Sequence, residues 1–389
     1  MTIYEFSDRL KKLPPYLFDE IDKLKQEAIA QGADIVDLGI GDPIESTYPP
    51  IIEKLRLACE DKNTHRYPSY RGLMAFRDSA AKFYKRKFDV EVDPSSEILT
   101  LIGSKEGIGH LPLAFVNPGD YVLVPDPGYP VYNSGTLFAG GKPIWMPLLV
   151  ENDFFPDFDE IEKKLPENCK LMWLSYPNNP TTAIANLDFF KKAVDFALKH
   201  EIIICHDAAY TEISFNGYKA PSILQIPDAK KCAVEFQSMS KTFNMTGWRI
   251  AFIVGNENLI NGLAKVKVNI DSGTSTAIQY AAIEALNSCQ SYVQEQIKIY
   301  EKRREILISS LKSSGFQFKV PDATIYLWVH IPEGFTSESF VKYLIQEKKL
   351  IVSPGNGFGK HGEGFFRISL TSDDENIKKA AERFSEINL

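Results

Sequence analysis

The 389-residue chain contains no run of about eighteen apolar residues, the length a helix needs to cross a bilayer, so a transmembrane helix is excluded. Its five cysteines, Cys59, Cys169, Cys205, Cys232 and Cys289, are odd in number, far apart and without CxxC spacing. They make neither a disulfide framework nor a zinc pattern, and read as reduced thiols and small core residues. The six histidines supply no HExxH or paired-ligand spacing, so no metal is expected. Positive charge is not in excess: 44 basic residues stand against 51 acidic ones, a formal net charge of −7. General affinity for nucleic acid or anionic membranes is therefore not expected. Near the start, Glu5 and Asp8 stand where an export signal needs basic and then apolar residues. Together with the reduced thiols, this predicts a cytoplasmic protein.

What remains is the composition of a folded protein, 44% hydrophobic and 24% charged. A helix is expected over 16–31, stopped by Gly32, followed by the apolar run 35–38 and a Gly-Pro turn at 39–43. From about 50 to 260 helical and strand patterns alternate. Helices are expected over 51–59, 72–88, 105–116, 132–140 and 187–200, and strands over 98–102, 121–124, 171–174, 202–205, 233–236 and 250–254. Short, nearly all-apolar strands between helices predict a mostly parallel sheet covered on both faces. After Gly273 the pattern changes to a long helix over 278–313, strands at 325–331 and 365–370, a helix at 337–348 and a terminal helix from Glu375. The reading is an α/β fold: a large domain over 46–285, a smaller α+β domain over 286–389, and an N-terminal segment 1–45 joining the smaller one.

Ligands of open α/β sheets gather at the carboxyl ends of the strands, so the residues after each strand are the candidates. After 98–102 comes Gly103-Ser104-Lys105-Glu106-Gly107, whose free N–H groups could cup a phosphate, although an ordinary helix cap is the commoner explanation of such a segment alone. After 171–174 comes Tyr176-Pro177-Asn178-Asn179-Pro180, common turn material. After 202–205, Asp207 leaves an apolar strand, which is costly unless it meets a cation or a donor. After 233–236 come Ser238-Met239-Ser240-Lys241, with Arg249 eight residues beyond the lysine. Each signal is weak alone; their order along one chain is informative.

That order resembles the class I/II aminotransferases, fold-type-I enzymes that use pyridoxal 5′-phosphate. Ser238-Met239-Ser240-Lys241 followed by Gly247-Trp248-Arg249 is similar to the family's cofactor-lysine signature, and the resemblance runs from Gly39-Ile40-Gly41-Asp42-Pro43 to Phe366-Arg367-Ile368-Ser369. The segments 103–107 and 126–132 look most like the branch that contains LL-diaminopimelate aminotransferase. The resemblance implies a role for each matching residue. Lys241 would bind the cofactor aldehyde and carry the proton at the substrate α-carbon. Asp207 would pair with the pyridine nitrogen, Tyr210 and Asn179 would bond the phenolic oxygen, and Tyr129 would stack on the ring. Main-chain N–H groups of Ser104 and Lys105, with Ser238 and Arg249, would hold the phosphate. Tyr67 matches a tyrosine that reaches the phosphate of a neighbouring subunit, which implies a homodimer with a shared site. Arg367 would take the substrate α-carboxylate beside Gly41.

Two points depart from the family pattern. Thr182 stands where glycine is usual, so a different turn after Pro180 is expected. No residue can be matched to a reader of the substrate's far end; Lys105 and Glu106, or polar residues over 269–272, are the candidates by position. The expected activity is a ping-pong aminotransferase acting on an L-amino acid, with LL-diaminopimelate favoured and glutamate or 2-oxoglutarate as its partner. Aspartate, alanine or methionine specificity stays open, as does a C–S lyase of the same fold; a regulatory protein of this fold usually carries an added DNA-binding segment, of which the sequence shows no sign. Lys241→Arg is expected to abolish turnover, because a guanidinium can neither bind the aldehyde nor move the proton; single-turnover kinetics with an amino acid check this, and a wild-type rate would refute the assignment.

Overall fold

The computed structural model describes residues 4–13, 25–27, 29–30 and 32–387. Most of the helix expected over 16–31 lies outside the described residues; 25–27 and 29–30 are helical, and Gly32 follows at φ +77°. Among the described residues there are twelve strands: β1 (Val36–Asp37), β2 (Ile98–Leu101), β3 (Tyr121–Asp126), β4 (Lys142–Pro147), β5 (Cys169–Ser175), β6 (Ile203–Asp207), β7 (Ala233–Ser238), β8 (Ala251–Gly255), β9 (Tyr326–His330), β10 (Leu350–Ile351), β11 (Ser353–Pro354) and β12 (Phe365–Ser369).

Seven of them form one sheet in the order β2-β8-β7-β6-β5-β3-β4. All its pairings are parallel except those of β8, which runs against both β2 and β7. Alternate side chains enter different cores, as strand geometry requires. In β5, Met172 and Leu174 face a cluster with Phe76, Phe190 and Ala281, while Leu171 and Trp173 face one with Ile108, Leu111 and Leu263. Helices Met74–Phe88, Leu187–Lys199 and Thr276–Ser288 thus cover one face, and Ser104–Phe115, Val131–Phe138 and Glu257–Ile270 the other. Two of these elements were not legible in the sequence. Edge strand β4 carries two prolines and is half exposed, and Glu257–Ile270 has Gly262 mid-helix, where a Cβ would lie 2.3 Å from the Phe115 ring.

A separate core gathers Leu307, Leu311, Phe340, Leu344, Phe366 and Phe384 around the antiparallel sheet β11-β12-β9. Val36 and Leu38 are buried in the same core, and β1 pairs in parallel with β10. The long helix expected over 278–313 is two helices, Thr276–Ser288 and Gln290–Ser313, broken at Cys289 (φ −100°, ψ +18°). The second begins against the large-sheet core at Val293 and ends in the smaller core at Leu307 and Leu311. Among the described residues, no helix is long and apolar enough to cross a membrane.

Behind the large sheet, His206 and Glu235 are register partners on β6 and β7, both fully buried. Glu235 accepts from the Tyr84 hydroxyl (2.6 Å) and Ile223 N–H (3.0 Å) and meets His206 Nδ1 at 2.8 Å. Burial pushes its pKa up, but the bonds from His206 and Tyr84 outweigh this and hold it below the ordinary glutamate value. A depressed carboxyl stabilises the fold above its unfolded pKa, and that stabilisation is lost as pH falls through the lower folded value. Glu235→Leu, which strands the donors, should cost about 3–5 kcal/mol. Thermal melts across pH should also show the variant losing less further stability than wild type below pH 4.5.

Candidate active site

Because β8 is reversed, its first residue lies at the edge where its neighbours end: Ala251 is the register partner of both Leu101 on β2 and Ser238 on β7. The segments after β2, β3, β5, β6 and β7 and the one before β8 therefore converge. Between them and the smaller sheet is a cavity of about 540 Å³. Its lining includes Gly41, Ser104, Lys105, Tyr129, Asn179, Asp207, Tyr210, Ser238, Ser240, Lys241, Arg249 and Arg367, which the sequence spreads over more than three hundred residues. Tyr67 does not line it and is 89% exposed.

Asp207 ends β6, and its Oδ2 accepts from the Tyr132 hydroxyl at 2.8 Å. Its Oδ1 is buried and has no hydrogen-bond partner among the described residues. Burial raises the pKa of this carboxyl, with the Tyr132 bond opposing. A buried acceptor on the wall of a cavity is costly unless a cation or N–H completes it, and a protonated pyridine nitrogen does both.

Lys241 sits in the short helix Met239–Thr242 that follows β7, and its ammonium donates to the Gly41 carbonyl at 2.5 Å. Burial pushes its pKa below the ordinary lysine value; Arg367 and Arg249 act in the same direction, while Tyr326 and Asp42 oppose. A lysine so placed is more readily neutral and nucleophilic.

Arg249 adopts φ +54°, and its Nη1 donates to Thr246 O at 2.6 Å. Its guanidinium lies on Gly103 (φ +73°), where a Cβ would approach Nη2 to 2.3 Å. Gly103 precedes helix Ser104–Phe115, so a fixed cation stands over the free N–H groups of a helix start. Such a cradle suits a phosphate dianion.

Arg367, on β12, is buried. It donates to Asn179 Oδ1 (2.7 Å), Gly39 O (2.9 Å) and Ser353 Oγ (3.3 Å), and lies 4.0 Å from the Tyr326 ring centre and 4.6 Å from that of Phe358. With Asn179 Oδ1 taken, the Asn179 amide nitrogen is the part of that side chain left to donate. Thr182 adopts φ +62°, so the left-handed turn usual for glycine is kept here by a β-branched residue, contrary to the expected change. The turn is fixed by Asn178, whose carbonyl accepts from Thr182 N–H (3.0 Å) and whose Oδ1 accepts from Thr181 N–H (3.0 Å) and Oγ1 (2.8 Å).

Glu106 does not line the cavity. It accepts from Ile102 N–H and the Lys267 ammonium and meets His110 Nδ1 at 2.8 Å; Lys267, 1% exposed, also pairs with Asp271. The Lys267 ammonium thus already compensates this group of acids. Asn269 bonds back to Lys265 O on its own helix. Of the candidates for the far end of the substrate, Lys105 is the one that lines the cavity. Sequence reasoning missed Tyr132, Tyr326, Phe358 and Asp42; Tyr132 and Asp42 lie in segments 126–132 and 39–43 that carry the resemblance but received no role there, while Tyr326 and Phe358 are among 46 aromatic residues (17 Tyr, 25 Phe and 4 Trp) with no local mark to single them out.

Residues 33–384 match the family model for class I and II aminotransferases, and the chain belongs to that family. It is thus a pyridoxal-phosphate-dependent aminotransferase. The chain is 52% identical over 387 residues to the LL-diaminopimelate aminotransferase of Aquifex aeolicus, covering 100% of each. It is 51% identical over 383 residues to that of Syntrophobacter fumaroxidans, covering 98% of this chain and 99% of the relative. Among solved structures it is similar to substrate-bound BacF from Bacillus subtilis (37% identity, TM-score 0.95, covering 100% and 99%). A mutant Thermus thermophilus aspartate aminotransferase has the same fold (26% identity, TM-score 0.93, covering 99% and 100%).

A carboxyl with a raised folded pKa destabilises the fold above that pKa, and the penalty disappears as pH falls. Asp207→Asn should therefore raise the melting temperature of the cofactor-free protein near neutral pH by about 2 °C, while weakening pyridoxal phosphate binding by about tenfold or more. Differential scanning calorimetry and cofactor titration check the two signs.

Proposed function

We propose that this aminotransferase moves an amino group between LL-diaminopimelate and 2-oxoglutarate, a step of lysine biosynthesis, in the cytoplasm. The observation that carries the reading is the full-length identity of about half to enzymes of that name. The cavity supports it. With Arg249 assigned to the phosphate and Arg367 to the α-carboxylate, the side chains of Lys105 and Asp42 on its wall can meet a distal carboxylate and a distal ammonium.

The cofactor, when bound, supplies an electron sink for the bond broken at the substrate α-carbon. Ser104 and Lys105 main-chain N–H groups, the Ser238 hydroxyl and Arg249 would hold its phosphate. Asp207 would keep the ring nitrogen protonated, Tyr129 would restrain the ring plane, and Tyr210 and the Asn179 amide would donate to its phenolic oxygen. Arg367 fixes the substrate α-carboxylate by a planar two-point grip, with Gly41 alongside. Lys241 would hold the cofactor and then, as a neutral amine, would carry the proton between the substrate α-carbon and the cofactor's C4′ carbon. We assign cofactor binding to a unit spanning 46–285, with 286–389 and the segment 1–45 making the second unit.

We also propose that two copies pair and that Tyr67 completes the partner's phosphate site. Exposed Tyr67, Tyr70, Ile40, Ile44 and Ile270 support this, as does the approach of 68–70 to Gly273, which brings two of the exposed segments together. In solution the protein should have the mass of a dimer by light scattering, and Tyr67→Phe should weaken cofactor binding without dissociating it.

The visible band of the holoenzyme should bleach with LL-diaminopimelate or glutamate and return with 2-oxoglutarate. Asp42→Asn should lower kcat/KM for LL-diaminopimelate about tenfold more than for glutamate, the order of a single charge contact, since any effect through Lys241 is common to both donors. Bleaching by alanine or aspartate in preference to LL-diaminopimelate would overturn the substrate assignment.

A further inference from the structure

Tyr326 belongs to none of the motifs that point to the site, yet it touches three of its parts. It opens β9, in the smaller sheet, and is buried. Its ring is the platform under Arg367, at 4.0 Å. Its hydroxyl is 3.0 Å from that of Tyr210, with the two rings edge to face. The same hydroxyl occupies the space of an absent side chain: a Cβ on Gly41 would lie 1.9 Å from it, and the Gly41 carbonyl is the acceptor for Lys241. The residue two before it, Thr324, is fully buried at φ +77°, a conformation costly for a β-branched residue, and its Oγ1 accepts from Tyr326 N–H at 3.2 Å. The backbone is thus held in an unfavourable conformation beside the residue that delivers this hydroxyl.

Two hydroxyls in contact share one bond, so the direction of donation matters. Arg367, across the Tyr326 ring, has only donors and cannot accept its proton. If Tyr326 accepted from Tyr210, the Tyr210 proton would be spent between the two rings. If Tyr326 donates, the Tyr210 proton is free to point into the cavity, and its O–H is polarised into a stronger donor.

We propose that Tyr326 is a positioning residue: its hydroxyl donates to the Tyr210 oxygen and so commits the Tyr210 proton to the phenolic oxygen of the cofactor, while its ring carries the guanidinium that grips the substrate carboxylate. The inference rests on the assignment of Tyr210 made above. It ties the proton balance of the large sheet's site to a residue of the smaller sheet, on the same side chain that supports Arg367.

The charged and titratable groups around Tyr210 are Tyr326, Arg367 and Asp207, and those acting on Lys241 are Tyr326, Asp42, Arg367 and Arg249. Tyr326→Phe removes one hydroxyl and leaves all the others and the ring in place. The readout is the pH midpoint of the visible absorption band of the holoenzyme without substrate. With a weaker donor at Tyr210, the phenolic oxygen carries more negative charge and the neighbouring nitrogen holds its proton more tightly. The midpoint should rise by about half a unit, the order of part of one hydrogen bond. kcat should fall severalfold while KM for the amino donor changes less than twofold. Tyr326→Leu, which removes the platform, should in addition raise KM about tenfold for every amino donor.

Tyr210→Phe and the double variant complete the test. If the route is through Tyr210, the midpoint moves in Tyr210→Phe and Tyr326→Phe adds nothing to it. An unmoved or lowered midpoint in Tyr326→Phe, or a shift of equal size in the Tyr210→Phe background, overturns the proposal. An unmoved midpoint in Tyr210→Phe itself instead overturns the assignment of Tyr210.

Discussion

Because β8 runs against β2 and β7, the segment entering it lies at the same edge as the segments leaving its neighbours. In an all-parallel sheet the residues before a strand would lie at the opposite edge, some 15–20 Å away for strands of this length. Here the reversal brings Arg249 onto Gly103, at the start of helix Ser104–Phe115, and beside Ser238 at the end of β7. A cation, a helix start and a hydroxyl thereby share one place. The rest of the site is arranged around that corner: Lys241 one turn beyond Ser238, and Asp207 at the end of the next strand over.

The corner is held at a thermodynamic cost. Asp207 and Lys241 are both shifted by burial toward their neutral forms, and Arg249 and Thr182 keep backbone conformations that side chains disfavour. These features are poor for stability and suit a site that must take a charged, planar ligand without rearranging. The offset comes from burial on both faces of the seven-stranded sheet and from satisfied networks behind it, of which Glu235 with His206 and Tyr84 is the clearest.

Contacts between the two parts of the molecule lie at the cavity and beside it. Arg367 reaches Asn179, Tyr326 reaches Tyr210, and His361 donates its N–H to Asp126 at the end of β3, with its ring Nδ1 2.7 Å from the same carboxylate. Helix Gln290–Ser313 spans both cores and sets the distance between them. Arg367 and Tyr326 are thus carried by the smaller sheet, and Asp207, Lys241 and Arg249 stand at the edge of the larger one, so the alignment of the two sets is a property of these contacts.

Much of this was legible along the chain. Strands such as Ile98–Leu101 and Ala251–Gly255 are apolar on both faces because helices cover both, and the turn residues after them stand out against that background. Lys241, Asp207, Arg249 and Arg367 are each weak signals alone and were found by their order along the chain and its resemblance to a known family. Strand β4 escaped because an edge need not be apolar and tolerates proline; the helix break at Cys289 escaped because nothing in the local pattern marks it. The roles of Tyr326 and Tyr132 were not legible for a different reason. A tyrosine among many is defined by what its hydroxyl meets, and Tyr210 lies 116 residues from Tyr326 and Asp207 75 residues from Tyr132. Glu106 shows the converse: it sits beside motif residues, but the helix turns its carboxylate to Lys267 instead of the cavity. The sequence by itself determined which residue types enter the chemistry, because composition and order are local. Only the tertiary structure decided which of them share a cavity, because that depends on strand direction, helix phase and contacts between residues far apart in the chain.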